Sequence, residues 1–219
     1  MRFRAVVFDV DGTLLNTLDD LADSMNAVLA AMSFPQHATD DYRYFVGDGF
    51  VNLARRALPK GARDRGTVQE CVTRVREEYR KNWKNKTRPY YGIPKVLNWL
   101  KDNGIQSAVL SNKDEEFTRT AVTTLLPHWN FVSIRGATDD LPLKPDPKAA
   151  SLVAKELGRA PSKILYVGDT KTDMKTAVAA KMYPCGALWG FRTREELEKA
   201  GAKEVFEKPL DVIRFLEKK

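Results

Sequence analysis

The sequence predicts an α/β fold with a parallel central sheet, and three observations predict it. Short apolar runs rich in β-branched residues recur along the chain. Helical patterns separate them. One long stretch directly after the first run is helical throughout. Short buried runs alternating with helices are the pattern of a parallel sheet covered on both faces. The expected architecture is therefore a Rossmann-like parallel-sheet core with a helical cap inserted after the first strand.

The first run is Ala5-Val6-Val7-Phe8, which stops at Asp9. Further runs follow at 106–110, 131–134, 163–167 and 185–189, and each reads as a buried strand. Helical patterns lie at 93–103, 114–126, 147–157 and 172–181. From Leu18 to Lys86 only helical spacing is found. Leu18, Leu21, Ala22, Met25, Val28 and Leu29 share one face, and 50–58 and 68–84 continue the pattern. The punctuated stretch Thr87-Arg88-Pro89-Tyr90-Tyr91-Gly92-Ile93-Pro94 marks the far boundary. The expected division is a catalytic core of residues 1–16 and 88–219 around a cap of residues 17–87.

The 219 residues are 43% hydrophobic and 30% charged, which excludes a disordered chain. A formal charge of +7 favours anionic partners without choosing among them. Nucleic acid is disfavoured, since no binding motif accompanies the charge. The apolar run after Met1-Arg2-Phe3-Arg4 is too short for a signal-peptide core. No stretch approaches the roughly 20 apolar residues of a membrane helix. Cys71 and Cys185 have neither disulfide-framework nor zinc spacing. The expectation is a cytoplasmic protein with reduced thiols and no membrane contact.

Four polar signals sit at strand ends or in the loops after them, where ligands bind in parallel sheets. They are Asp9-Val10-Asp11-Gly12-Thr13, Ser111-Asn112-Lys113, Lys144 between Pro142 and Pro145, and Gly168-Asp169 through Asp173. Phosphoryl transfer needs these residue types. One carboxylate can attack phosphorus and split hydrolysis into two easier steps. A second must protonate the leaving oxygen and then activate water. The spread negative charge calls for a lysine, a metal and hydrogen-bond donors. Magnesium prefers such oxygen ligands, and Asp9 and Asp169 can supply carboxylates. Each piece also has a plainer reading. Asp9 and Asp11 fit an acidic turn, and Lys144 a solvated surface lysine. Ser111, Asn112 and the Thr170–Asp173 pair fit helix caps. The recurrence of all four at strand ends in one α/β pattern favours chemistry.

With these motifs in view, the sequence resembles the haloacid dehalogenase-like hydrolase superfamily over nearly its whole length. The signature DxDGT(L/V) stands as Asp9 to Leu14, and the GDxxxD motif as Gly168 to Asp173. The resemblance implies Asp9 as nucleophile and Asp11 as acid/base. It implies Mg2+ held by Asp9, the Asp11 carbonyl and Asp169, with Asp173 nearby. Ser111 and Lys144 would hold phosphoryl oxygens, with Asn112 beside Ser111. Having both Asp9 and Asp11 disfavours the dehalogenase branch. The helical insertion, the Gly47-Asp48-Gly49 loop, Tyr90-Tyr91-Gly92-Ile93 and Trp189-Gly190-Phe191 resemble phosphoglycolate phosphatase-like proteins. The implied partner is a small phosphorylated metabolite, with 2-phosphoglycolate foremost. A phosphosugar mutase, a pyrophosphatase and a non-catalytic binding protein are the rivals.

Lys181 stands where the resemblance implies a helix-ending glycine, so the left-handed stop is expected to differ. Arg74, Arg76, Arg80, Lys81, Lys84, Lys86 and Arg88 form a basic run that reads as a solvated helix face or as a steering surface for phosphate esters. Gly47, Asp48 and Gly49 read as a loop opening a helix, with N–H groups able to meet an anion.

Overall fold

The computed structural model describes residues 3–218. Met1, Arg2 and Lys219, which the expected core includes, lie outside them. The apolar run Ala5–Phe8 forms β1, buried at every residue. It is flanked by β4 (Gln106–Asp114) on one side and β6 (Ile164–Gly168) on the other, both parallel to it. With β5 (Ile134–Ala137), β7 (Tyr183–Ala187) and β8 (Glu204–Phe206), these make a six-stranded sheet in the order β5-β4-β1-β6-β7-β8. All its pairings are parallel.

Alternation along β1 sends Val6 and Phe8 to one core and Ala5 and Val7 to another. The second core packs under α7 (Lys148–Leu157) and α8 (Lys171–Ala179), through Ala150, Val153 and Ala177. The first core continues without a break into the helical insertion, where Leu21, Met25, Phe50 and Tyr79 join it.

The insertion holds α1 (Leu18–Ala31), α2 (Tyr42–Phe45), α3 (Gly49–Ala57) and α4 (Arg65–Asn82). On α4 the buried residues Val68, Cys71, Val72, Val75 and Tyr79 recur every three or four positions, the stripe of an amphipathic helix. Its first turn is capped by Asp64, whose carboxylate accepts from Thr67 N at 3.0 Å. The chain enters and leaves through a short antiparallel ribbon, β2 (Leu15–Asn16) with β3 (Arg88–Pro89). The buried Asp20 carboxylate ties the exit strand to α1. It accepts from Thr87 N at 2.8 Å, Thr87 Oγ1 at 2.7 Å and Lys86 N at 3.0 Å.

Several elements differ from expectation. The strand expected at 131–134 begins at Ile134, and the one expected at 185–189 begins at Tyr183. Ile134 pairs with Val109, and that pairing sets where β5 begins. β8 and the two-residue ribbon were not expected, because runs this short carry no periodic signal. β4 extends through Ser111 and Asn112 to Asp114, and α6 (Glu115–Leu125) starts only after it. Ser111 and Asn112 are therefore not helix caps. The left-handed helix stop is kept despite the lysine. Lys181 has φ 59°, its N–H reaches Val178 O at 3.0 Å, and Met182 N reaches Ala177 O at 2.9 Å. That bonding is the Schellman closure usually made by glycine. The side chain bears the left-handed cost, so Lys181→Gly is expected to stabilise the fold by about 0.5–1 kcal/mol after the added unfolded-state entropy is subtracted. Urea denaturation of the variant checks this, and a loss of stability would contradict it.

Candidate active site

The chain crosses from β5 over β4 and β1 to β6, so the sheet reverses its winding at β1. Open α/β sheets leave a crevice at the carboxyl ends beside such a reversal. Asp9 and Asp11 follow β1, Ser111, Asn112 and Lys113 form the end of β4, and Asp169 follows β6. Lys144 arrives from the loop after β5. All of these residues are buried, as is Asp173 on the first turn of α8.

The backbone makes close approach possible. Gly12 has φ +85°, and a Cβ there would lie 2.2 Å from Asp169 Oδ2. A Cβ on Gly190 would lie 2.3 Å from Asp169 Cβ and 2.4 Å from Gly12 O. Asp169 thus sits in a cradle that only glycine leaves open. Its Oδ2 accepts from Phe191 N at 2.8 Å, and its Oδ1 accepts a longer bond from Thr13 Oγ1 at 3.3 Å.

Lys144 is the central cation. Its ammonium donates to Asp173 Oδ1 at 2.7 Å and Leu110 O at 3.1 Å. It lies 3.0 Å from Asp9 Oδ1, but not in hydrogen-bonding alignment, so Asp9 Oδ1 is buried with a charge beside it and no hydrogen bond. Asn112 fastens this loop. Its Oδ1 accepts from Lys144 N at 2.8 Å, and its Nδ2 donates to Lys144 O at 3.1 Å and Gly47 O at 3.3 Å. Thr170 and Asp173 make the full capping box of α8, with Asp173 Oδ2 accepting from Thr170 N at 3.0 Å and Thr170 Oγ1 at 2.6 Å. Asp173 thus closes the helix cap through one oxygen and pairs with Lys144 through the other.

Lys113 ends the Ser111-Asn112-Lys113 signal, and the sequence assigns it no role of its own. Its buried ammonium donates to Asp11 Oδ1 at 3.0 Å and to Tyr79 Oη at 2.9 Å. Its burial carries no local sequence signal, because a lysine near the end of a strand is ordinarily exposed. The Gly47-Asp48-Gly49 loop opens α3, as expected, and the Asp48 side chain has partners of its own. Its carboxylate is held by Arg56 and accepts from Thr172 Oγ1 at 2.8 Å. Gly47 and Gly49 line the cleft, whereas the Asp48 side chain fastens the insertion to α8.

Burial dominates the electrostatics. It pushes the Asp9 carboxyl up to about 7, with Lys144 opposing and Asp173 and Asp11 adding. Burial also holds Asp169 well above the usual carboxylate range, helped by Asp173 and Asp9 and opposed by Phe191 N. Burial alone would lower Lys144 and Lys113. Asp173 and Asp9 reverse that for Lys144, and Asp11 and Tyr79 for Lys113, so both stay raised and charged. Burial would raise Asp48, but hydrogen bonds from Arg56 and Thr172 leave it lowered. Four carboxylates face two ammonium groups, so the cluster has room for further positive charge. One oxygen each of Asp9, Asp169 and Asp173 lies within 4.8 Å of the others, close enough to share a small cation.

Above the cluster is a cleft of about 390 Å³, its open mouth included. Asp9, Asp11, Ser111 and Lys113 floor it, and Leu21, Val46, Phe50 and Leu53 of the insertion wall it. The basic run does not line it. Arg74 pairs with Glu70, Arg76 with Asp114, Arg80 with Glu116, Lys81 with Glu78 and Lys86 with Asp23. Most of the run is ion-paired, along α4 and in the segment that follows it.

Residues 6–187 match the family model for haloacid dehalogenase-like hydrolases. The chain belongs to that family. A phosphoglycolate phosphatase of Pseudomonas putida is 32% identical over 193 residues, covering 86% of this chain and 70% of its own. One from Aquifex aeolicus is 31% identical over 188 residues, covering 86% of each. The crystal structure of a predicted phosphoglycolate phosphatase from Haemophilus somnus superimposes with a TM-score of 0.89 at 25% identity, covering 99% of both chains. This haloacid dehalogenase-like hydrolase is thus a phosphatase, a phosphoric monoester hydrolase, of the phosphoglycolate phosphatase-like group. No described helix is long and apolar enough to cross a membrane, and both cysteines are free and buried.

In this hydrolase, removing Lys144 leaves Asp9 and Asp173 facing each other without a cation. Lys144→Met is expected to cost about 3–5 kcal/mol of stability. Lys84→Met, at an exposed position, is expected to stay within about 0.5 kcal/mol. Urea unfolding of the two variants at neutral pH distinguishes them, and equal effects would sink the assignment of Lys144 as the central cation.

Proposed function

We propose that this phosphatase is magnesium-dependent and hydrolyses a small phosphate monoester through an aspartyl-phosphate on Asp9, with 2-phosphoglycolate as the first substrate to test. The observation that carries this reading is the placement of two carboxylates, Asp9 and Asp11, at the reversal of the sheet. Lys144 and Asp169 stand at the same site. The named activity of the relatives supports the choice of substrate.

The residues fit a magnesium ion. Asp9 has an oxygen without a hydrogen bond, and Asp169 has an oxygen with only one long bond. Both Asp173 oxygens are already taken by Lys144 and Thr170, so it orients rather than ligates. Two carboxylates with the Asp11 carbonyl suit an ion that prefers a few protein oxygens and keeps the rest for water and phosphate. When bound, magnesium supplies positive charge to the phosphoryl oxygens.

The chain's own groups do the remainder. Lys144 holds charge against the phosphoryl oxygens, Ser111 donates a hydrogen bond, and Asn112 keeps Lys144 in place. Asp9 attacks phosphorus, and the bond to the leaving oxygen breaks as Asp11 gives that oxygen a proton. Asp11 then takes a proton from water, which attacks the aspartyl-phosphate and frees Asp9. Residues 17–87 act as a cap domain over a core of residues 1–16 and 88–219, closing on the substrate and excluding bulk water. The proposed location of the enzyme in the cell is the cytoplasm.

Asp9→Asn is expected to abolish phosphate release from small esters. Chelation with EDTA should do the same to the wild type, and magnesium should restore it. Magnesium at about 100 times its dissociation constant should add about 2.7 kcal/mol of stability to the wild type, and much less to Asp169→Asn. Phosphate release combined with thermal melts reads both. Near-normal turnover by Asp9→Asn would end the nucleophile assignment.

A further inference from the structure

The mechanism above leaves one buried cation without a role. Lys113 is enclosed, with a side chain 2% exposed, and its ammonium is shared between two bodies. On the core it meets Asp11 at 3.0 and 3.3 Å. On the cap it meets Tyr79 Oη at 2.9 Å, and the ammonium also lies 4.4 Å from the centre of the Tyr79 ring. A buried ammonium is costly unless paired and hydrogen-bonded, so both partners matter to it.

Tyr79 is fully buried on α4 and reaches across the seam between cap and core. Its ring meets Phe50 of the cap edge-on at 5.8 Å and Phe117 of the core at 5.3 Å. Packing alone would be served by phenylalanine. Among the described residues the hydroxyl finds its hydrogen-bond partner only in Lys113, so it is the part of Tyr79 that packing does not explain. Motion of α4 away from the sheet would carry off the hydroxyl and the ring together. Lys113 would return to water, and Asp11 would lose a partner fixed in place.

We propose that Tyr79 is a positioning residue, holding Lys113 on Asp11 so that closure of the cap sets the carboxylate that moves the proton. The proposal rests on the phosphatase reading, in which Asp11 does that work. The relay links two events that must coincide. The proton-transfer group is fixed only when α4 is seated and water is excluded.

Tyr79→Phe tests it, because it deletes the hydroxyl and keeps the ring contacts. Steady-state phosphate release with magnesium should show kcat lowered about tenfold, as for loss of a hydrogen bond to a charged group. KM should stay within about twofold, since the substrate loses no contact. In a Lys113→Met background the same change should lower kcat no further. In nitrogen-labelled protein the slowly exchanging Lys113 ammonium signal should be present in the wild type and lost in Tyr79→Phe. Unchanged kcat, or an equal fall in both backgrounds, would overturn the proposal, as would an ammonium signal that survives in Tyr79→Phe. A wild type inactive on all esters with magnesium present would instead overturn the phosphatase reading on which it rests, and an active wild type separates the two failures.

Discussion

The site depends on one constraint: more negative charge is buried at the end of β1 than the chain itself neutralises. Asp9, Asp11, Asp169 and Asp173 are buried together, and the lysine ammoniums of Lys113 and Lys144 meet three of them. Asp169 has no lysine partner. Isolated buried carboxylates are expensive, so the surrounding structure serves to offset them. Lys144 is locked by the Asn112 amide, Asp173 by its own helix cap, and Asp169 by Phe191 N inside a glycine cradle. Asp9 Oδ1 lies beside the Lys144 ammonium without a hydrogen bond, and there, next to Asp169, added positive charge has most to gain.

The same constraint explains why so much of the site was legible in the sequence. A carboxylate beyond a buried β-branched strand must be paired or used, and four such polar signals recur at strand ends. The residues that escaped notice are those whose partners come from remote segments. Lys113 is defined by Asp11, 102 positions away, and by Tyr79, 34 positions away on the insertion. Neither distance leaves a local pattern. Asp48 was visible as part of a glycine loop, yet its partners Arg56 and Thr172 lie on different elements. The fold follows the same division. β1 and the long helices carry strong periodicity, whereas β8 and the β2–β3 ribbon exist only through their pairing partners. At Lys181 the residue type misled, because the helix-closing bonds fix the backbone whether or not the side chain suits it.

The seam between insertion and sheet shows how the polar groups are spent. Arg56 is bound to Asp48 and Phe45 O, Arg192 to Arg43 O and Val46 O, and Arg43 to Asp40 and Gly190 O. Arg76 and Arg80 reach Asp114 and Glu116 at the start of α6. These arginines fasten the insertion and are not left pointing into the cleft. The surface pairs among them contribute little individually, about 0–1 kcal/mol each, and the apolar core that runs unbroken from sheet to insertion holds the two together.

The cleft that results is asymmetric. Its sheet side carries the charge, and its insertion side presents Leu21, Val46, Phe50 and Leu53. Under the proposed reading, charge on the sheet side would meet a phosphoryl group, and the apolar insertion side would meet the group it leaves. In a small apolar chamber, electrostatic interactions on the sheet side strengthen once solvent is excluded. Seating the apolar wall thus increases the strength of the charged floor without adding a charged group of its own. The Tyr79 hydroxyl accepts from Lys113, whose ammonium also meets Asp11, so one continuous contact runs from α4 through Lys113 to the carboxylate two residues after Asp9.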